Sequence, residues 1–386
     1  MNASDSIIQW LISEARTLGQ GDAIVDGYCE RLVEAGVPLT RANIAARFSN
    51  PLLVAWGVIW TPVSSTEYDV THAMLDTDAY VGSPFHTVLT TGKPLHKSLR
   101  DLDLENEHAF YRESVAEGAK DLYANFLEFG DGTRNGSTYI THDPEGFQAE
   151  HVELIESTRF GLASALEPVT MRKSTESLLR TYIGRGPANA VTAGTIMRGE
   201  HAKLDAVVMF SDLRGFTAKS EQWNETTLLK ALNEYFETVV QAVETRGGDV
   251  LKFMGDGILS IFPIDANNTQ QAQCAKAVEA ARTANDALET LNKTRVELRE
   301  EPLAMGIGIN VGSVTYGNIG SPERLDFTVL GSAVNIASRI QDLCKIVDEP
   351  LLVSRDVITG QDDVFASKGF HDVRGLGEPI EVFSPK

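Results

Sequence analysis

Cysteine is scarce. The 386-residue chain has three, Cys29, Cys274 and Cys344. The number is odd and no two lie close together, which argues against a disulfide framework and for a reducing compartment. None sits in a local signature of a catalytic thiol. No basic segment followed by an apolar core opens the chain, so no signal peptide is expected. The most apolar run, Pro51 to Trp60, falls far short of the ~20 residues a membrane helix needs. Positive charge is also short: 34 Lys and Arg against 54 Asp and Glu leave a net charge of -20. That disfavours sequence-independent binding to nucleic acid or to an anionic membrane. A phosphorylated small substrate stays open, because a local site in an acidic protein can still be positive or metal-filled. These absences predict a soluble, cytoplasmic protein with neither a nucleic-acid nor a membrane partner.

What is present divides into two halves. As a soft prior, the length predicts two or three domains. The first half, residues 1–168, opens with two helical patterns, "DSIIQWLISEARTL" and "AIVDGYCERLVEAG". Strand-like runs follow in "NIAARFSNPLLVAWGVIW", "DLYANFLEF" and "GSTYITH". Asp143-Pro144 then starts a helix whose apolar residues Val152, Ile155, Leu162, Leu166 and Val169 fall near helical spacing. This order predicts an α+β domain. Residues 169–202 read as a helical connector broken at Gly184, Gly186 and Pro187, with Leu178, Leu179, Tyr182 and Ile183 on one apolar face.

Residues 203–386 follow another pattern. "DAVVMF" reads as a strand, and "ETTLLKALNEYFETVVQAVETRG" as a long amphipathic helix ending at Gly247. "DVLKFMGDGILSIF" reads as two strands joined at Gly255-Asp256-Gly257. A second long helix, two further strands and a helix capped by Ser332 complete the half. The β-α-β-β-α-β order is that of a ferredoxin-like sheet with both long helices on one face.

The run "VVMFSDLRGFTAKSE", Val207 to Glu221, holds an apolar strand that ends in Asp212. A lone Asp there marks an ordinary strand end, but Asp256 also sits at a turn, flanked by two glycines. In this order of elements the first strand and the hairpin commonly lie side by side. Two carboxylates at their ends can share hard cations such as magnesium, which takes one or two carboxylates and completes its shell with phosphates and water. Asp-Gly alone is only a hairpin signal; the two aspartates together favour the metal reading.

From about Lys203 to Phe383 the chain resembles the class III nucleotidyl cyclases. The matching pieces are "FSDLRGFT", "LKFMGDGILSIF", "GINVGSVTYGNIGSPERLDFTVLGSAVNIASR" and "VRGLGEPIEVF". They occur in the family's order and spacing. The resemblance implies a homodimer with two active sites at the interface, the metal carboxylates of each coming from one chain and most other groups from its partner. Spacing alone does not require this: Lys252 and Asp256 are ~13 Å apart along an extended strand, a span that one nucleotide within one chain could equally use.

Residue by residue, the resemblance makes Asp212 and Asp256 the holders of two magnesium ions, with manganese as an alternative. These would activate the ribose 3′-hydroxyl and neutralise the triphosphate. The amides of Leu213, Arg214, Gly215 and Phe216 would cradle phosphate oxygens. Asn335 and Arg339 match the pair that positions ribose and stabilises the transition state, and their i, i+4 spacing puts them on one helix face. Arg374 matches a triphosphate contact. Lys252 and Thr328 match the base-reading pair. An ammonium donates to N1 of adenine, an acceptor, and opposes N1–H of guanine. Thr328 stands where many adenylate cyclases have Asp and resembles the Thr or Ser subgroup, some of which respond to bicarbonate. Phe216 reads as core rather than base-stacking, and His371 as structural or solvated.

The first half loosely resembles GAF-type sensor domains in its closing strand-strand-helix pattern, with no cluster that identifies its small-molecule or protein signal. Three functions compete. An adenylate cyclase, converting ATP to 3′,5′-cyclic AMP and pyrophosphate, leads. A guanylate cyclase is opposed by Lys252. A non-catalytic signalling module would be expected to lack a metal Asp, the Asn or the Arg, and none is lacking.

Overall fold

The computed structural model describes residues 2–359, 362–373 and 377–386. The chain forms two compact units, residues 1–178 and 179–386.

In the first unit six strands form one antiparallel sheet: β1 (Arg41–Arg47), β2 (Leu53–Thr61), β3 (Ser64–Thr71), β4 (Leu95–Ser98), β5 (Asp121–Glu128) and β6 (Arg134–Thr141). Their order is β3-β2-β1-β6-β5-β4. Alternation along β1 assigns the faces: Ala42, Ile44 and Ala46 are buried, and Asn43 and Ala45 between them point to the other face. The buried set packs with α1 (Ala3–Trp10), α2 (Gly21–Glu34) and the first part of a 35-residue helix, numbered α5 below. Two short helices, α3 (Pro84–Thr91) and α4 (Ala109–Ala116), join a separate small core with Leu122, Ala124 and Ile140. The long helix α5 runs Ala149–Ile183. Its start differs from the expected Asp143-Pro144, because the Asp143 side chain accepts from the Glu145 amide and the Asp143 carbonyl from the Gly146 amide, 2.8 and 3.0 Å. That local turn spends the bonds a helix would need.

In the second unit, α6 (Arg185–Thr192) precedes β7 (His201–Leu213). Then come α7 (Phe216–Gln222), α8 (Glu225–Thr245), β8 (Asp249–Met254), β9 (Gly257–Ile264), α9 (Gln270–Glu297), β10 (Met305–Gly320), β11 (Leu325–Leu330) and α10 (Ser332–Val347). β12 (Leu351–Ser354), β13 (Phe365–His371) and β14 (Ile380–Pro385) close the chain. The sheet runs β13-β14-β12-β10-β7-β9-β8, with β11 paired to β10. Its core β10-β7-β9-β8 is the interleaved order of a ferredoxin-like unit. Val207 and Met209 of β7 join the core beneath α8 and α9, whereas Ala206 and Val208 join the opposite core beneath α10. Burial on both faces is why the strand reads as an unbroken apolar run.

Two local details differ from expectation. α10 begins at Ser332 and its cap position is Gly331, so the Ser332 side chain does not cap it. α10 also lies unusually close to β10: a Cβ at Gly308 would stand 2.3 Å from the Gln341 amide nitrogen and 2.5 Å from the Ala337 carbonyl oxygen. Glycine is required there for contact, not for backbone angle. The three cysteines are buried and unbridged. Among the described residues no helix is long and apolar enough to cross a membrane.

Candidate active site

Asp212 is the last but one residue of β7, opposite Gly306 of β10. On the other side of β7, Ser211 stands opposite Ile258, so β9 begins beside the strand end. The β8–β9 hairpin closes between Met254 and Gly257, with Gly255 and Asp256 as the two-residue turn and Gly255 at a φ of 67°. This geometry delivers the Asp256 carboxyl to Asp212. Burial, first, and then the hydrogen bond and charge of Asp256 push the Asp212 carboxyl up to about 7; Asp342 adds a smaller effect in the same direction.

The residues present suit hard cations. Both carboxyls offer oxygen, and their mutual repulsion is of the kind that a divalent cation relieves. A Cβ at Gly257 would lie 3.7 Å from Asp212 Oδ1 and 3.6 Å from the Ser211 carbonyl oxygen, so its absence leaves room beside the carboxylate. Below the pair the Tyr235 hydroxyl donates to Ser211 Oγ at 2.8 Å, which fixes the end of β7. Among the described residues no group of three or more His, Cys, Asp or Glu side chains is placed to hold a metal. A cation here would therefore depend on two carboxylates, with phosphate and water completing its shell.

The loop after β7 is only partly as expected. The Arg214 amide already donates to the Ala304 carbonyl at 2.7 Å, which removes it from the expected phosphate cradle. Its guanidinium is a clamp: Nη2 donates to the Cys344 and Glu349 carbonyls at 2.9 and 2.7 Å, and Nη1 meets Asp348 at 3.2 Å. Leu213 is buried in the ladder opposite Met305. Gly215 is exposed, with a φ of 75°, at the start of α7, and Phe216 packs against the core.

Asn335 and Arg339 are exposed on α10, and Arg339 Nη1 meets Asp342 Oδ2 at 3.1 Å. Lys252 lies on β8 and makes an ion pair with Asp326 of β11. Thr328, two residues beyond Asp326 on the same strand face, is buried. Lys252 and Asp326 line one side of a cavity of about 510 Å³ that is also bordered by Asn318 and Phe327. Neither aspartate of the strand-end pair lines that cavity, nor do Asn335 and Arg339. Sequence reading missed Asp326; its position two residues before Thr328 on a strand was the available signal. Arg374 lies outside the described residues. His371 Nε2 is bonded to the Lys368 carbonyl at 3.0 Å, a structural arrangement.

Residues 200–367 match the family model described as the adenylate and guanylate cyclase catalytic domain. An adenylate cyclase of Anabaena cylindrica is 34% identical over 155 residues, 39% of this chain and 30% of the relative. The terminal-differentiation-specific adenylate cyclase of Dictyostelium discoideum is 33% identical over 181 residues, 46% of this chain and 8% of the relative. The chain thus spans less than a third of either relative. Among solved structures, the adenylyl cyclase CyaB from P. aeruginosa is similar at 29% identity, with 48% of this chain and 94% of that one covered and a TM-score of 0.43. The guanylyl cyclase Cya2 is 33% identical, with 48% and 93% covered and a TM-score of 0.42. On the family match, residues 200–367 of this chain carry a catalytic domain of the adenylate and guanylate cyclase family.

Proposed function

We propose that this protein is an adenylate cyclase that converts ATP to 3′,5′-cyclic AMP and pyrophosphate in sites shared by two copies of the chain. The observation that carries the reading is the meeting of Asp212 and Asp256 at the end of β7, while Lys252 and Asp326 line a cavity that neither aspartate lines. A divalent cation pair bound there, magnesium or manganese, would supply charge neutralisation and an acidified ribose 3′-hydroxyl.

The chain's own residues do the rest. Arg339 would exchange Asp342 for the α-phosphate as negative charge moves toward pyrophosphate. Asn335, one turn away, would orient the ribose. Lys252 would donate to adenine N1 while Asp326 holds its ammonium, and the Thr328 hydroxyl would accept from the 6-amino group. Gly215 and Phe216 amides are the remaining donors of the expected phosphate cradle, and Arg374, outside the described residues, would be a further triphosphate contact.

The shared-site dimer is supported by exposed apolar side chains near these elements, Phe253 and Met254 on β8 and Leu325 and Leu330 on β11. The first unit is proposed as a GAF-like sensor: it has its own core, and α5 carries the chain from it into the second unit. Three buried thiols without a bridge support a cytoplasmic location.

The test is direct. Purified protein is incubated with ATP or GTP and with magnesium or manganese, and the products are identified. Cyclic AMP from ATP in clear excess over cyclic GMP from GTP is expected. A preference for GTP would overturn the base assignment, and no cyclic product under any of the four conditions would overturn the enzyme reading.

A further inference from the structure

The first unit contains a cavity of about 240 Å³ on the face of its sheet opposite the main core. It exists because the residues beneath it are small. Ala45 and Ala55 line its floor, and Gly136 leaves space that the Phe85 ring occupies; a Cβ at Gly136 would stand 2.2 Å from that ring. Val70, Leu89 and Phe110 add apolar wall. The volume is below the ~300–1,000 Å³ usual for drug-sized ligands, which limits the occupant to one ring or a short chain.

The polar groups of the cavity are unevenly satisfied. The Tyr68 hydroxyl donates to Asn43 Oδ1 at 2.7 Å. Thr77 donates to the Met74 carbonyl, and Ser83 accepts from the His86 amide. The Asn43 amide NH₂ and the guanidinium of Arg47, an exposed residue, have no protein partner among the described residues. Asn43, Ala45 and Arg47 alternate along β1, so they lie on one face, the one that lines the cavity. Arg47 is the one charged side chain among the described lining residues, and no carboxylate accompanies it. In a chain with a net charge of -20, an unpaired guanidinium beside an apolar hollow is the opposite of the prevailing charge. Its fork of donors matches a carboxylate, and the neighbouring amide adds two more donors.

We propose that this cavity is a binding site for a small monoanion with an apolar body, a one-ring or short-chain carboxylate, whose carboxylate meets Arg47 and Asn43 and whose body fills the space above Ala45 and Ala55. The proposal deepens the sensor reading of the first unit. Its test reads binding and not nucleotide turnover, so the site and the cyclase reading fail separately.

The experiment is calorimetric titration of the full chain with benzoate, hexanoate and the neutral isostere benzamide. At least one acid should bind with a Kd of about 1 mM or tighter, and benzamide about tenfold or more weaker than benzoate. Arg47→Gln should reduce benzoate affinity to the benzamide level and leave benzamide unchanged. Ala45→Phe should abolish binding of all three while the circular dichroism spectrum is kept; where that variant does not fold, Val70→Phe fills the same space from β3. No binding of either acid at about ten times that concentration overturns the site. Equal affinity of wild type for benzoate and benzamide overturns the anion assignment, and binding that survives the filled cavity overturns its location.

Discussion

At the scale of single residues, the pair Asp212 and Asp256 has a measurable cost when no cation is bound. Burial and the neighbouring carboxyl hold the Asp212 proton up to about pH 7 in the folded chain, whereas an unfolded Asp releases it near ~3.9. The folded state therefore binds more protons between those values, and stability falls as pH rises through that window. Asp212→Asn removes the effect. In chelator at pH 8 the variant should be more stable than wild type by about 1–2 kcal/mol, since water still reaches one side of the carboxyl. Near pH 4 the difference should vanish. Equal melting temperatures at pH 8 would mean that the carboxyls do not confront each other. The same substitution should abolish cyclic AMP formation, and so should Asp256→Ala. Asp326→Ala is expected to raise KM for ATP several-fold with a smaller change in kcat, and to reduce the preference for ATP over GTP, because Lys252 loses the carboxylate that holds it. An unchanged ratio of catalytic efficiencies would count against that role. The meeting of Asp212 and Asp256 was legible because one ends an apolar strand and the other sits in a glycine-flanked turn. Asp326 was not, because an Asp on an edge strand reads as a solvated charge until its partner from β8 is seen. The Arg214 clamp was equally hidden: its partners are two carbonyls and Asp348, all more than a hundred residues away, and carbonyls carry no sequence signal.

Elements carry the next set of constraints. The close approach of α10 to β10 at Gly308 makes that glycine a remote control on Asn335 and Arg339. Gly308→Ala should displace the helix, lower kcat by about tenfold or more and leave the dimer intact; wild-type turnover would show that the helix tolerates the shift. Between α8 and α9, Arg295 is 2% exposed and pairs with Glu234 and Glu300 while donating to the Glu301 carbonyl at 2.9 Å. Arg295→Ala leaves Glu234 and Glu300 with only Lys230 as a shared cation and should cost about 2 kcal/mol, measured by denaturant unfolding. Nothing in the pattern of α9 distinguished Arg295 from a surface arginine. The order of strands and long helices, by contrast, was readable from apolar periodicity and Asp-Gly or glycine ends. The elements that escaped reading, among them β3, β4, α3, α4, α7 and β12 to β14, are short, half-exposed or both, and burial is what writes periodicity into a sequence.

For the molecule as a whole, the proposed sharing of each site between two copies of the chain leads to a mixing experiment. Asp212→Ala and Arg339→Ala should each be inactive alone. After subunit exchange, a mixed dimer keeps one intact site of two, and activity should return to a substantial fraction of wild type. No recovery after proven exchange would place the whole site within one chain. The sheet order has a different consequence, for synthesis. β7, which carries Asp212, is held between β9 and β10, and β10 begins at Met305. A ribosome must make roughly ninety residues beyond Asp212 before this neighbour exists, and such distant pairing is slow to form. Until then β7 has an open apolar edge of the kind that recruits other chains. Nascent chains arrested before Met305 should consequently depend on chaperones and aggregate without them, and those arrested after β14 should not.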